Sequence, residues 1–196
     1  MSELTNLPNF TTNPEHRARL LELLKEKSYV EGEVILASGK KSDFYIDCRQ
    51  SSLDAEGAYL VGQIFYHWLE QLEKKPVAVG GMTMGADPLV TATSITSFLE
   101  GDPIPGFLIR KEPKGHGLKK WIEGRGKLQD NDMVWLLEDV VTTGGSTIKA
   151  LDACEAEGLK VGGVFCMVDR LEGGRDALVP RGIQLVSIFT RKDFKP

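Results

Sequence analysis

The chain has 196 residues, 41% of them apolar, and a formal charge of −4. That length fits one domain with a substantial core, and no apolar run approaches the ~20 residues that a membrane span needs. The three cysteines, Cys48, Cys154 and Cys166, are far apart and form no CxxC pair. This argues against a disulfide framework and a zinc site, and fits the reduced thiols of a cytoplasmic protein.

Residues 1–14 carry Pro8, Pro14 and scattered polar side chains and read as an irregular lead. Residues 1–7 lack a basic region followed by an apolar core, so no secretory leader is expected. The leucines at 20, 21, 23 and 24 suit a helix over 15–27. Residues 34–37 and 44–47 are short strand candidates around the turn 38–42. A helix over 55–72 puts Ala58, Val61, Ile64, Phe65, Trp68 and Leu72 on one stripe.

Residues 77–79 read as a buried strand ending at Gly80-Gly81, and 86–99 as a helix with Pro88 tolerated in its first turn. Further strands are expected at 104–109, 133–137, 161–168 and 184–189, with a helix at 146–157 stopped by Gly158. Strands alternating with helices imply an α/β fold with a doubly wound, mostly parallel sheet. The two N-terminal strands break the alternation and suit a small flap over the sheet's carboxyl edge.

Charge is unevenly spread. From 110 to 127 the basic residues are Arg110, Lys111, Lys114, Lys119, Lys120, Arg125 and Lys127, against Glu112 and Glu123. That segment carries +5 and leaves −9 on the rest, which argues against a general nucleic-acid binder and for one anionic ligand. Its length, glycines and charge fit a lid that closes over a polyanion and excludes water. Trp121 within it reads either as an exposed anchor or as a closure contact. Trp68 and Trp135 are expected in the core, and His16 and His67 in structural or surface positions.

The most informative string is VWLLEDVVTTGGST, residues 134–147. An apolar strand delivers two carboxylates, Glu138 and Asp139, and a Thr/Gly/Ser loop opening a helix. The glycines and the helix N-terminus make an anion cradle, while the carboxylates accept hydrogen bonds from sugar hydroxyls. One loop suited to both a hydroxyl-rich ring and its phosphate suggests a sugar phosphate. A capping role for Asp139 or Ser146 is the plainer alternative. A second loop, Gly80-Gly81-Met82-Thr83-Met84-Gly85, also joins a strand to a helix and suits a second phosphate group.

This string resembles the signature of the type I phosphoribosyltransferases, which use phosphoribosyl pyrophosphate (PRPP). Three further segments narrow the resemblance to the orotate phosphoribosyltransferases. Arg110, Lys111, Lys114 and His116 resemble that family's catalytic lid. The run 36–45, LASGKKSDFY, resembles its hood over the base. Met167-Val168-Asp169-Arg170 resembles the segment whose arginine pairs with the orotate carboxylate. Ala37 and Gly85 stand where many relatives carry a lysine, and Glu138 where many carry Asp.

The resemblance implies transfer of phosphoribosyl from PRPP to orotate in pyrimidine biosynthesis, in one domain over 1–196. The N-terminal helix and hood would fill about 1–50, and a flexible lid about 110–127. It implies catalytic roles for Lys114, His116 and Asp139. PRPP would be held by Arg110, Lys111, Lys114, His116, Glu138, Asp139, Val140, Val141, Thr142, Thr143, Gly144, Gly145 and Ser146, and orotate by Thr142 and Arg170. It implies Mg²⁺ carried mainly on PRPP, with no dedicated protein metal site, and a homodimer sharing its active sites. In that dimer Arg110, Lys114 and His116 reach the partner and Lys111 serves its own subunit. The alternatives are a phosphoribosyltransferase for another base and a PRPP-binding regulator. No GxxxxGK[ST] or HExxH spacing occurs.

Overall fold

The computed structural model describes residues 8–35, 41–112 and 121–194. Helix α1 (Pro14–Leu23) starts where the Asn13 side chain accepts hydrogen bonds from the N–H groups of Glu15 and His16, at 2.9 and 3.2 Å. A π-helical turn, Leu24–Ser28, extends it. Strands β1 (Tyr29–Ile35) and β2 (Lys41–Ile46) then pair antiparallel as a separate hairpin. A short helix α2 (Arg49–Ser52) leads into α3 (Ala55–Glu70), capped by the Asp54 carboxylate on the N–H groups of Glu56 and Gly57.

The main sheet is built from β3 (Ala78–Met82), β4 (Gly106–Ile109), β5 (Ile122–Glu123), β6 (Met133–Val141), β7 (Lys160–Asp169) and β8 (Leu185–Thr190). Helices α4 (Ala86–Leu99), α5 (Gly145–Ala156), α6 (Gly174–Leu178) and α7 (Arg191–Phe194) connect or follow them. The strand order is β5-β4-β3-β6-β7-β8, parallel except for β5. The chain runs outward from β3 to β4 on one side and from β6 to β8 on the other. β3 and β6 therefore flank the topological switch point, where a parallel sheet opens a ligand crevice beyond its carboxyl edge.

Side chains alternate between two buried layers, as strand geometry requires. Trp135, Leu137, Phe165 and Met167 enter the layer under α1 and α3, whereas Val134, Leu136, Val164 and Cys166 enter the layer under α5. Phe165 anchors the first layer, with the rings of Phe10, Trp68 and Trp135 centred 5.1–5.2 Å away. Truncating such a ring costs about 3–5 kcal/mol. All three cysteines are free and buried.

The structure corrects several sequence expectations. β3 runs through Gly80 and Gly81, so these glycines are strand residues rather than a phosphate-turning loop. A Cβ on Gly80 would lie 2.3 Å from the Phe107 ring, and one on Gly81 2.3 Å from the Leu137 carbonyl oxygen. Their small size serves close packing within the sheet. β6 is also longer than expected and carries Glu138 to Val141 inside the strand.

Residues 122–127, expected as part of a lid, are regular structure, and residues 113–120 of that segment lie outside the described residues. β5 pairs with β4 through Leu108–Glu123 and Ile109–Ile122, and a 3-10 turn, Arg125–Lys127, follows. Arg125 is tied down by the carbonyl oxygens of Leu128 and Glu157 and by Asp130. Its charge serves the fold. Trp121 is half-buried against the α5-side core; its carbonyl accepts from Arg110 N–H and its own N–H donates to Glu157. It fastens the base of this segment.

Candidate active site

A cavity of about 670 Å³ opens at the switch point. Met82 at the end of β3, with Thr83, Met84 and Gly85 after it, forms one wall, and Glu138, Asp139 and Val140 of β6 form the floor. Thr142, Thr143 and Ser146 close the far side, while Arg170 and Glu172 enter from the end of β7. The hood contributes Tyr45 and Ile46, followed by Asp47 and Arg49. A second cavity of about 600 Å³ lies by β8, but its arginines, Arg17 and Arg175, are already paired with Asp193 and Asp169.

Strand alternation sends the acidic pair to different sides of the sheet edge. Glu138 faces α5, beside the buried Thr147 hydroxyl. Its Oε1 is buried without a hydrogen-bond partner. Burial, then the neighbouring Asp139 charge, pushes its pKa to about 8, with Thr147 acting weakly the other way. A buried carboxyl with an unfilled acceptor is suited to incoming hydroxyl donors. Asp139 faces α2 and α4. Burial raises its pKa too, although Oδ1 accepts the Val140 N–H at 2.8 Å and Arg49 favours its ionised form.

The loop after β6 turns at Gly144, whose φ of +82° only glycine adopts readily. No side chain caps α5, which starts at Gly145. That removes the alternative in which Asp139 or Ser146 serves as the cap. The first-turn N–H groups of this twelve-residue helix, with Thr143 and Ser146 at its mouth, are thus available to an anion. Val141 does not line the cavity; its side chain is buried and its carbonyl accepts from Arg170 N–H at 2.9 Å. Gly144 and Gly145 shape the turn.

Arg170 is buried, with Nε and Nη2 both 2.9 Å from Glu172 Oε1. Lys111 lines the cavity. Arg110 does not; Glu123 on β5 holds its guanidinium at 2.8 Å. Lys114 and His116 lie outside the described residues, as do Ala37 and Lys40 of the hood turn.

Sequence reasoning missed Asp47, Arg49 and Glu172. Asp47 receives Arg49 Nε at 2.8 Å and Nη2 at 3.1 Å. That hydrogen-bonded guanidinium holds the Asp47 carboxyl below the usual range. The available signal was a carboxylate and an arginine two residues apart directly after a strand.

No protein-family profile matches the chain. Curated relatives do. It is 48% identical to the orotate phosphoribosyltransferase of Sorangium cellulosum over 180 residues, which cover 92% of this chain and 93% of that one. It is 46% identical to the orotate phosphoribosyltransferase of Aquifex aeolicus, covering 88% and 94%. Among solved structures, the Mycobacterium tuberculosis orotate phosphoribosyltransferase with Fe(III) dicitrate superposes with a TM-score of 0.79 at 34% identity. That match covers 92% of this chain and 99% of that one. The same enzyme in complex with PRPP matches at 28% identity with a TM-score of 0.73, covering 93% of both chains. The chain belongs to the orotate phosphoribosyltransferase family.

Proposed function

We propose that the cavity at the switch point binds PRPP and orotate, with the residues divided by chemistry. As a member of its family the protein transfers the phosphoribosyl group of PRPP to orotate, giving orotidine 5-monophosphate and pyrophosphate in pyrimidine biosynthesis. The C1–O bond of PRPP breaks with its electron pair leaving on pyrophosphate, and orotate N1 forms the new bond to C1. The transition state resembles an oxocarbenium ion. The protein's task is to hold the ribose, stabilise the departing charge and keep water out.

The observation that carries this assignment is the pairing of Glu138 and Asp139 with the uncapped N-terminus of α5 in one cavity. Glu138 and Asp139 accept the ribose hydroxyls, and negative charge on Asp139 favours positive charge developing on the ring. Thr142, Thr143, Gly144, Gly145 and Ser146 hold the 5-phosphate. Arg170 meets the orotate carboxylate, with Thr142 beside the base. Lys111 serves its own subunit. Lys114 and His116 act on the pyrophosphate from the lid, and Arg110 reaches the partner.

Mg²⁺ belongs to this reading. Among the described residues no three His, Cys, Asp or Glu side chains come together to cage a metal. An ion carried on PRPP oxygens and water needs only one or two protein carboxylates. The orphaned Glu138 Oε1 and the adjacent Asp139 fit that demand. When bound, the ion neutralises pyrophosphate charge.

A homodimer fits the exposed apolar groove of Leu53, Met84, Pro88 and Ile95, which adjoins the cavity through Arg49. A cytoplasmic site fits the three free cysteines, and a single phosphoribosyltransferase domain fits the one continuous main sheet.

The test is to mix purified protein with PRPP, Mg²⁺ and orotate and follow orotate absorbance. Loss that requires both PRPP and protein supports the assignment. No loss with orotate, but turnover with adenine, guanine, hypoxanthine or uracil, moves the base. Silence with all five favours a PRPP-binding regulator.

A further inference from the structure

PRPP is a polyanion, yet the described cavity lining is short of cations. Its carboxylates are Asp47, Glu138, Asp139 and Glu172, and its cations are Arg49, Lys111 and Arg170. Arg170 is engaged by Glu172 on the far side, next to Thr142. The wall after β3 offers only backbone and the uncharged Met82, Thr83 and Met84. A side chain at Gly85 would have to displace Asp139. A Cβ there would lie 2.6 Å from Cγ and Oδ1 of Asp139, so the carboxylate fills the space a side chain would need.

Arg49 approaches this same corner from the hood side. It lines the cavity together with Met84 and Gly85, and its charge acts directly on Asp139. Its position is fixed rather than floppy. Asp47 engages Nε and Nη2, and also accepts the Arg49 backbone N–H at 3.2 Å. That leaves Nη1 for a further acceptor, on a guanidinium already oriented at little entropic cost. A planar, permanently charged fork suits phosphate oxygens better than a point charge does.

We propose that Arg49, oriented by Asp47, is a further cation that receives the pyrophosphate end of PRPP and stabilises the departing pyrophosphate. Gly85 makes room for Asp139, and the charge missing from that wall is delivered from the segment between β2 and α2. Arg49 is then a catalytic residue, because it touches the leaving group. Asp47 is a positioning residue that acts through it. This inference rests on the reading of the cavity as the PRPP site, and the experiment separates the two.

The experiment compares wild type, Arg49→Ala and Arg49→Lys in the orotate reaction, with inhibition by the product pyrophosphate and, separately, by ribose 5-phosphate, which carries the sugar phosphate without the leaving group. Failure of wild type to consume orotate with PRPP sinks the reading of the cavity itself. Given an active wild type, Arg49→Ala is expected to raise the inhibition constant for pyrophosphate about tenfold or more, the usual worth of a charge-assisted hydrogen bond. The constant for ribose 5-phosphate should stay within about twofold. Arg49→Lys keeps the charge without the fork and should fall between the two. The Lys variant also keeps the test valid if the Ala variant folds poorly. An unchanged pyrophosphate constant, or equal weakening of both inhibitors, overturns the assignment of Arg49 to the leaving group.

Discussion

Replacing Glu138 with glutamine should make the free protein more stable in alkali and leave it nearly unchanged in acid. Glu138 is 4% exposed, with Oε1 lacking a hydrogen-bond partner, and burial raises its carboxyl pKa to about 8 from an ordinary 4.5. That rise corresponds to ~5 kcal/mol of penalty on the ionised form. A carboxyl whose pKa is higher folded than unfolded binds more protons in the folded state between the two values. Stability therefore falls as pH rises from about 4.5 to about 8 and levels off above. At pH 5 the penalty is under ~1 kcal/mol, and at pH 8.5 it is nearly complete.

Glutamine has the same shape and no proton to lose, so the variant escapes the penalty. The gap between variant and wild type should widen by about 4 kcal/mol from pH 5 to pH 8.5, or ~8–16 °C in Tm for a chain of this size. Burial also raises the Asp139 carboxyl and the thiols of Cys48 and Cys166; both proteins retain these groups, and losing the Glu138 charge relieves Asp139 and Cys166 as well, which widens the gap in the same direction. Thermal unfolding of both proteins at the two pH values, without ligand, is the assay. A gap that does not change with pH refutes the buried, partnerless carboxyl.

Four other outcomes are expected. Gly81→Ala should lower stability by at least about 1–3 kcal/mol in urea unfolding, because its Cβ would meet the Leu137 carbonyl at 2.3 Å. Gly126→Ala, with nothing within 4 Å, should stay within ~0.5 kcal/mol of wild type. Arg170→Ala should raise the KM for orotate about tenfold or more while the KM for PRPP changes little, as steady-state kinetics with each substrate varied will show. Lys114→Ala should cut turnover far more than PRPP affinity; equal losses in both would remove the lid lysine from the transition state.

The sequence made the central machinery legible where local physics dominates. Helix α4 has the bounds expected for it, 86–99, because Pro88 and the apolar pattern act within one turn. The Glu138–Ser146 segment was readable because a strand, two carboxylates and a glycine turn must occur in that order to form it. What stayed hidden depended on neighbours distant in sequence. Gly80 and Gly81 looked like a turn, and only the Phe107 ring and the Leu137 carbonyl reveal them as packing positions. Residues 122–127 looked like lid, since the pairing of β5 with β4 and the anchoring of Arg125 on Glu157 are tertiary. Arg49 carries no motif of its own and gains meaning only when the hood brings it to Asp139.

The most direct measurement is a crystal structure with orotidine 5-monophosphate bound. The phosphate is expected against the N–H groups at the start of α5, the ribose hydroxyls on Glu138 and Asp139, and the base carboxylate at Arg170. A nucleotide whose phosphate or ribose sits away from the Glu138–Ser146 segment would contradict this assignment.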